Sequence, residues 1–180
     1  MTEADQLYAS YSAGVGTDVM QSLYLEWLSE AERVYELCYS DKIDLVSLCV
    51  LLSPGESAAL RVSALIMDKG DKDSLLCVFN DWLCKGQIKA LDGEIKYPEY
   101  AGLQKVLSST DKTIQSTSLR DYMRKEWYPA NSGSAWYESH LGKHDTYVGY
   151  WCFVGAAIGK SLSLDKGYFE DIIYFPKDLY

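Results

Sequence analysis

The sequence predicts an all-α fold: a single compact domain of about six or seven mostly antiparallel helices. Three observations carry this expectation. Apolar residues recur at steps of three and four almost throughout, which lines them up on one side of successive helices. No stretch alternates apolar and polar residues as a half-buried strand would. The 180 residues, 48% hydrophobic and 24% charged, are enough to bury roughly 70% of the unfolded surface without disulfide or metal staples. With only 4 prolines and 13 glycines, the loops should be short. Residues 1–180 therefore read as one domain with two compositional halves, 1–86 acidic and 87–180 aromatic-rich.

Thr17 or Asp18 caps a long helix running to about residue 39. Met20, Leu23, Tyr24, Trp27, Leu28, Ala31, Val34, Tyr35 and Cys38 form its apolar face, and Ser22, Glu26, Ser29, Arg33 and Glu36 lie opposite. Asp41 or Asp44 starts a second helix through 43–52, apolar nearly all round and so central. Ser53-Pro54-Gly55 is a turn. Glu56 opens a third helix to about residue 67, and Asp68-Lys-Gly-Asp breaks it. Asp71 or Asp73 caps a fourth, with Leu75, Leu76, Val78, Phe79, Trp82 and Leu83 facing inward and Gly86 as terminator. Tyr97-Pro98 sets up a fifth helix with proline in its first turn. A solvated Ser/Thr loop over 108–118 leads to a sixth, 119–127. Asp145 or Thr146 caps a last long helix, 147–162, with Trp151 mid-helix on its apolar side. The tail 167–180 reads as a short element plus an ordered aromatic strap.

Charge is unevenly spread. Of 26 acidic and 17 basic residues, net −9, residues 1–44 hold nine acidic and two basic, net −7. That balance argues against DNA or an anionic membrane as main partner, because phosphates would be repelled, and it permits a basic protein. Fourteen of the twenty-four aromatics lie between Tyr122 and Tyr180. The five cysteines, Cys38, Cys49, Cys77, Cys84 and Cys152, are odd in number, lack a CxxC pair and each sit in an apolar run. Buried reduced thiols in a cytoplasmic protein are expected. The opening residues carry neither a basic nor an apolar signal-peptide region, so no signal peptide is expected.

Catalytic signatures are weak. His140 and His144 stand i, i+4 and could present two rings to a metal, with Glu138 or Asp145 as a third ligand. Against that, the HExxH glutamate is missing and Gly142 interrupts the spacing. One ring packed on a Tyr or Trp and bonded to a carbonyl, with the other exposed, is the simpler expectation. No GxxxxGK[ST], GxGxxG or GxSxG occurs. Gly155 and Gly159 form a GxxxG within thirteen uncharged residues, too few for a span, which needs ~20 apolar residues. They are expected to admit a close neighbour to a buried helix. Neither a cofactor nor a metal is called for, and no enzyme activity is expected.

The last third resembles a known family. Trp127-Tyr128, Trp136-Tyr137, His144, Thr146-Tyr-Val-Gly-Tyr-Trp-Cys-Phe-Val-Gly-Ala-Ala-Ile-Gly-Lys, Leu164-Asp165 and the closing Tyr174-Phe175-Pro176-Lys177-Asp178-Leu179 resemble the C-terminal domain of PoNi-type immunity proteins. These antagonise PoNe DNase toxins delivered by type VI secretion and related polymorphic toxin systems. Val154-Gly155 departs from the family's acidic-then-small pattern. The resemblance implies an all-helical, non-enzymatic inhibitor that binds its cognate toxin in the cytoplasm by occluding the active site or DNA groove. Its motifs are aromatic, Gly and Pro, and they mark architecture rather than a contact surface. The expected contact surface comes from the charge pattern: Glu26, Glu30, Glu32, Glu36, Asp41 and Asp44. A helical adaptor binding another basic protein would use the same face.

Overall fold

A computed structural model describes residues 3–34, 36–67, 73–143 and 147–180, apart from the side chain of Glu3. The chain is a single all-helical domain, and no strand occurs among the described residues. Helices α1 (Glu3–Ser12), α2 (Thr17–Ala31), α3 (Tyr39–Leu52), α4 (Glu56–Ile66) and α5 (Ser74–Lys85) form the first half. Short helices α6 (Leu103–Leu107), α7 (Lys112–Asp121) and α8 (Trp127–Ala130), then α9 (Phe153–Ser161), build the second.

Helix α3 is the axis. It buries Ile43 and every residue from Leu45 to Leu52, as its all-round apolar sequence requires. It packs along α9 and against α2 and α4, while α1 lies on α2, α5 on α4 and α6 on α7. The small residues of α9 admit further close neighbours from outside α3. A side chain at Gly155 would strike Met123, and one at Gly159 would strike Tyr180 and Leu119. The tail is the expected strap, with Phe169, Ile172, Phe175 and Leu179 buried and the Tyr180 hydroxyl donating to the Leu164 carbonyl at 2.8 Å.

Helix α5 matches its sequence closely. Asp73 accepts the Leu75 and Leu76 amides, and Gly86 closes the helix at φ 66°. Elsewhere the molecule departs from expectation. Helix α2 ends at Ala31 instead of running to residue 39. Cys38 caps a new helix by accepting the Asp41 amide, and Val34 is exposed. The gain lies further on: Tyr39 donates to Asp73 at 2.7 Å and stacks on Tyr97 with ring centroids 3.7 Å apart. A continuous helix would forfeit that placement, so tertiary contacts override the local period. The Ser/Thr stretch is not a solvated loop. Asp111 accepts the Thr113 and Ile114 amides and starts α7, which buries Gln115, Ser116 and Ser118.

Two more expectations are corrected. Cys38 and Cys84 are exposed, Cys77 is half-buried, and only Cys49 and Cys152 are buried. The first two sit at helix ends, where an apolar run meets solvent. The last helix starts at Phe153, not residue 147, so Trp151 is half-buried in an extended segment rather than mid-helix. Gly149 at φ 92° turns the backbone where any side chain would meet Ser12 and Trp151. The Cys152 amide then bonds the Tyr174 carbonyl at 2.8 Å, tying this segment to the tail instead of to its own next turn. Asp71, Asp145 and Thr146, expected as caps, lie outside the described residues, as do Tyr35 and His144.

Candidate protein-binding cleft

The six expected contact residues fall into two settings. Glu26, Glu30, Glu32 and Glu36 are exposed on α2 and the segment after it. Glu30 is paired with Arg33 at 2.8 Å. Glu32 makes a two-pronged pair with Arg61 of α4 at 2.7 and 2.8 Å, and that bond holds its carboxyl below the ordinary range. Glu32 is therefore already engaged in clamping α2 to α4. Asp41 and Asp44 belong to α3 and turn instead into a cleft of about 380 Å³.

The cleft is assembled from five parts of the chain. Helix α1 supplies Asp5 and Tyr8, and the start of α3 supplies Asp41 and Asp44. Glu99 and Tyr100 come from a 3-10 turn, Pro98–Tyr100. Trp127, Trp136, Tyr150 and Trp151 close the far side. Each wall has a local cause. A single π-helical turn, Tyr122–Glu126, links α7 to α8. Such a turn carries one residue more than an α-turn and so rotates the next helix about the common axis. Here it buries Tyr122 and Met123 and presents Trp127 to the cleft. The Tyr122 hydroxyl donates to the Glu99 carbonyl at 2.9 Å, fixing the 3-10 turn. On the opposite side the Ser12 hydroxyl donates to the Val148 carbonyl at 2.6 Å and accepts from the Trp151 indole at 2.8 Å. Those two bonds staple α1 to the extended segment.

The aromatic wall is a packed cluster. Trp127 and Trp136 stack with centroids 5.4 Å apart, and Tyr128 stacks on Tyr174 at 5.2 Å. Tyr150 meets both Tyr128, at 5.0 Å, and Trp136, at 5.7 Å. His140 joins this cluster without lining the cleft. Its Nδ1 lies 2.6 Å from the Tyr150 hydroxyl, and its ring meets Tyr150 edge-on. The expected partner was a carbonyl; here it is a phenol. Among the described residues no three His, Cys, Asp or Glu side chains gather to hold a metal ion.

Asp44 is the unusual group. Burial pushes its carboxyl up to about 7; a hydrogen bond from Tyr8 pulls it down and nearby Asp41 pushes it up. Among the described residues the lining contains Asp5, Asp41, Asp44 and Glu99 and no Lys, Arg or His. The arrangement can stabilise a cation, and burial holds the neighbouring Cys152 thiol far above the usual range.

In the sequence, Asp44 stands only as a helix start and one unit of negative charge. Its sharper signal was position, an aspartate between Ile43 and Leu45 in a run that is otherwise core. Tyr8, Tyr100 and the tryptophans gave no comparable signal, since aromatic residues are more often packing than site.

A family model described as PoNe immunity proteins (PoNi), C-terminal, matches residues 71–179. That span supplies the aromatic wall, Glu99 and Tyr100, whereas Asp5, Tyr8, Asp41 and Asp44 come from outside it. No curated protein and no solved structure matches the chain.

Proposed function

The chain belongs to the PoNe immunity protein (PoNi) family, and from that premise we propose that it binds and neutralises a cognate bacterial DNase toxin by covering its active site or DNA groove. The family match over 71–179 carries this reading. The family is one of inhibitors, so the activity is binding, with no turnover of its own. The charge distribution supports it: a DNase groove is basic because it receives phosphates, and a segment of net −7 over residues 1–44 is drawn to such a groove. In this reading the toxin arrives through type VI secretion or a related polymorphic system, and the complex forms in the cytoplasm. Among the described residues no helix is long and apolar enough to cross a membrane.

Glu26, Glu30, Glu32, Glu36, Asp41 and Asp44 are the proposed acidic contacts. Reversing Glu26, Glu30 and Glu36 to Lys changes the charge of 1–44 from −7 to −1 by sequence count. All three are exposed, and Glu32 is left intact because it holds Arg61. The triple variant should keep its helical circular dichroism. Its association with the toxin should slow and lose salt dependence, as rim charges govern association rate. A folded triple variant with wild-type affinity and salt dependence would remove this face from the interface.

A further inference from the structure

Resting on the immunity reading above, we propose that the cleft floored by Asp44 is a receptor for one arginine side chain of the toxin. The cleft's size limits the occupant. At about 380 Å³ it is at the lower end of ligand pockets, ~300–1,000 Å³. That admits a side chain and excludes a helix or strand.

Its chemistry limits the occupant further. Four carboxylates line it, and among the described residues no basic side chain does. Among the described residues the lining thus offers half-buried Asp44 no countercharge, and burial weakens its acidity. A guanidinium supplies that charge at any physiological pH and bonds a carboxylate through two parallel N–H groups. Its flat faces suit the walls, where Trp127, Trp136, Tyr150 and Trp151 offer aromatic surfaces. A lysine ammonium is a compact point charge that uses the carboxylate but gains less from flat walls. The source of the arginine comes from the functional reading, because a basic nuclease groove presents arginines.

The test needs no toxin at first. The indole N–H resonances of Trp127, Trp136 and Trp151 are monitored by NMR while the free protein is titrated with N-acetyl-arginine methylamide. Parallel titrations use the lysine and citrulline analogues and spermidine; citrulline keeps the flat shape and lacks the charge. Saturable shifts with the arginine compound are expected, with binding at least five-fold weaker for lysine and none for citrulline. Asp44→Asn should weaken arginine binding at least ten-fold while the melting transition remains cooperative. Absence of a saturable shift, equal binding of citrulline, or spermidine binding as tightly as the arginine compound would each overturn the proposal, and the citrulline comparison requires no variant. Toxin binding is then measured on the same proteins. A wild type that binds toxin and an Asp44→Asn variant that binds it equally well would overturn the arginine receptor and leave the immunity reading standing. A wild type that binds no toxin would overturn the immunity reading itself.

Discussion

Asp44→Asn should stabilise the folded chain at pH 8 by about 2–4 kcal/mol and change little at pH 4. The carboxyl is pushed up to about 7 in the fold, from an ordinary value of 3.8, and each pH unit of such a gap is worth about 1.4 kcal/mol. The folded state thus holds the proton more tightly than the unfolded chain between these values. Stability is full below about pH 4 and falls as pH rises through 7, after which the charged form must be kept in the cleft. The groups facing it do not reverse that sign. Tyr8 from α1 lowers the value by its hydrogen bond, but Asp41 raises it, and burial outweighs both. Asp5 and Glu99, which share the cleft, add no positive charge. Asparagine stays neutral and its amide oxygen can still accept from Tyr8. Urea unfolding of both proteins from pH 4 to 8 checks this: the wild-type midpoint should fall with pH and the variant's should not. A variant less stable than wild type at pH 8 would show that the carboxylate is well solvated or paired. If the cleft serves partner binding, this residue trades fold stability for function, a recurring feature of binding sites.

Phe153→Ala should cost about 3–5 kcal/mol, the usual range for emptying a buried aromatic site. Against a total stability of ~5–15 kcal/mol, the variant should unfold at markedly lower denaturant. Phe153 is 1% exposed. Its ring meets Tyr8 edge-on with centroids 4.8 Å apart and Tyr11 at 5.6 Å, so it joins the acidic half of the chain to the aromatic half. The loss should therefore extend to α1, with amide protection falling over residues 4–12. A change below about 1 kcal/mol would mean that α1 and α9 do not share a core.

How much of the fold was legible depends on where each signal resides. Helix α5 was readable because cap, apolar face and terminator all lie within fourteen consecutive residues, Asp73 to Gly86. The core helix α3 was readable from its composition. Helix α1 gave too short a pattern, Leu7 and Tyr11 being its buried apolar residues. Helix α7 was hidden because it buries Gln115, Ser116 and Ser118, polar residues that a periodicity argument assigns to solvent. Gln115 is placed there by its amide donating to the Ser109 carbonyl at 2.6 Å, a bond invisible to hydropathy. The extended segment before α9 was missed for the converse reason. Its aromatic and small residues suit a buried helix, but Gly149 and the Tyr174 carbonyl draw the backbone elsewhere.

The acidic surface was legible as a total and not as an arrangement. Helical spacing predicted Glu26 and Glu36 on the polar side, and both are exposed. The charge count could not separate Glu32, held by Arg61, from the rest, nor show that Asp41 and Asp44 turn inward. The cleft was out of reach because its walls come from five segments that only the tertiary fold brings together.

The central claim is that this chain silences a nuclease by binding it. The most direct measurement is DNA cleavage by the proposed cognate nuclease toxin, assayed while the purified chain is added from sub-stoichiometric amounts to excess. Cleavage is expected to fall in step with formation of a complex that elutes as one species, and to stop once the chain is in excess. Cleavage that continues undiminished in the presence of excess folded chain would contradict the account.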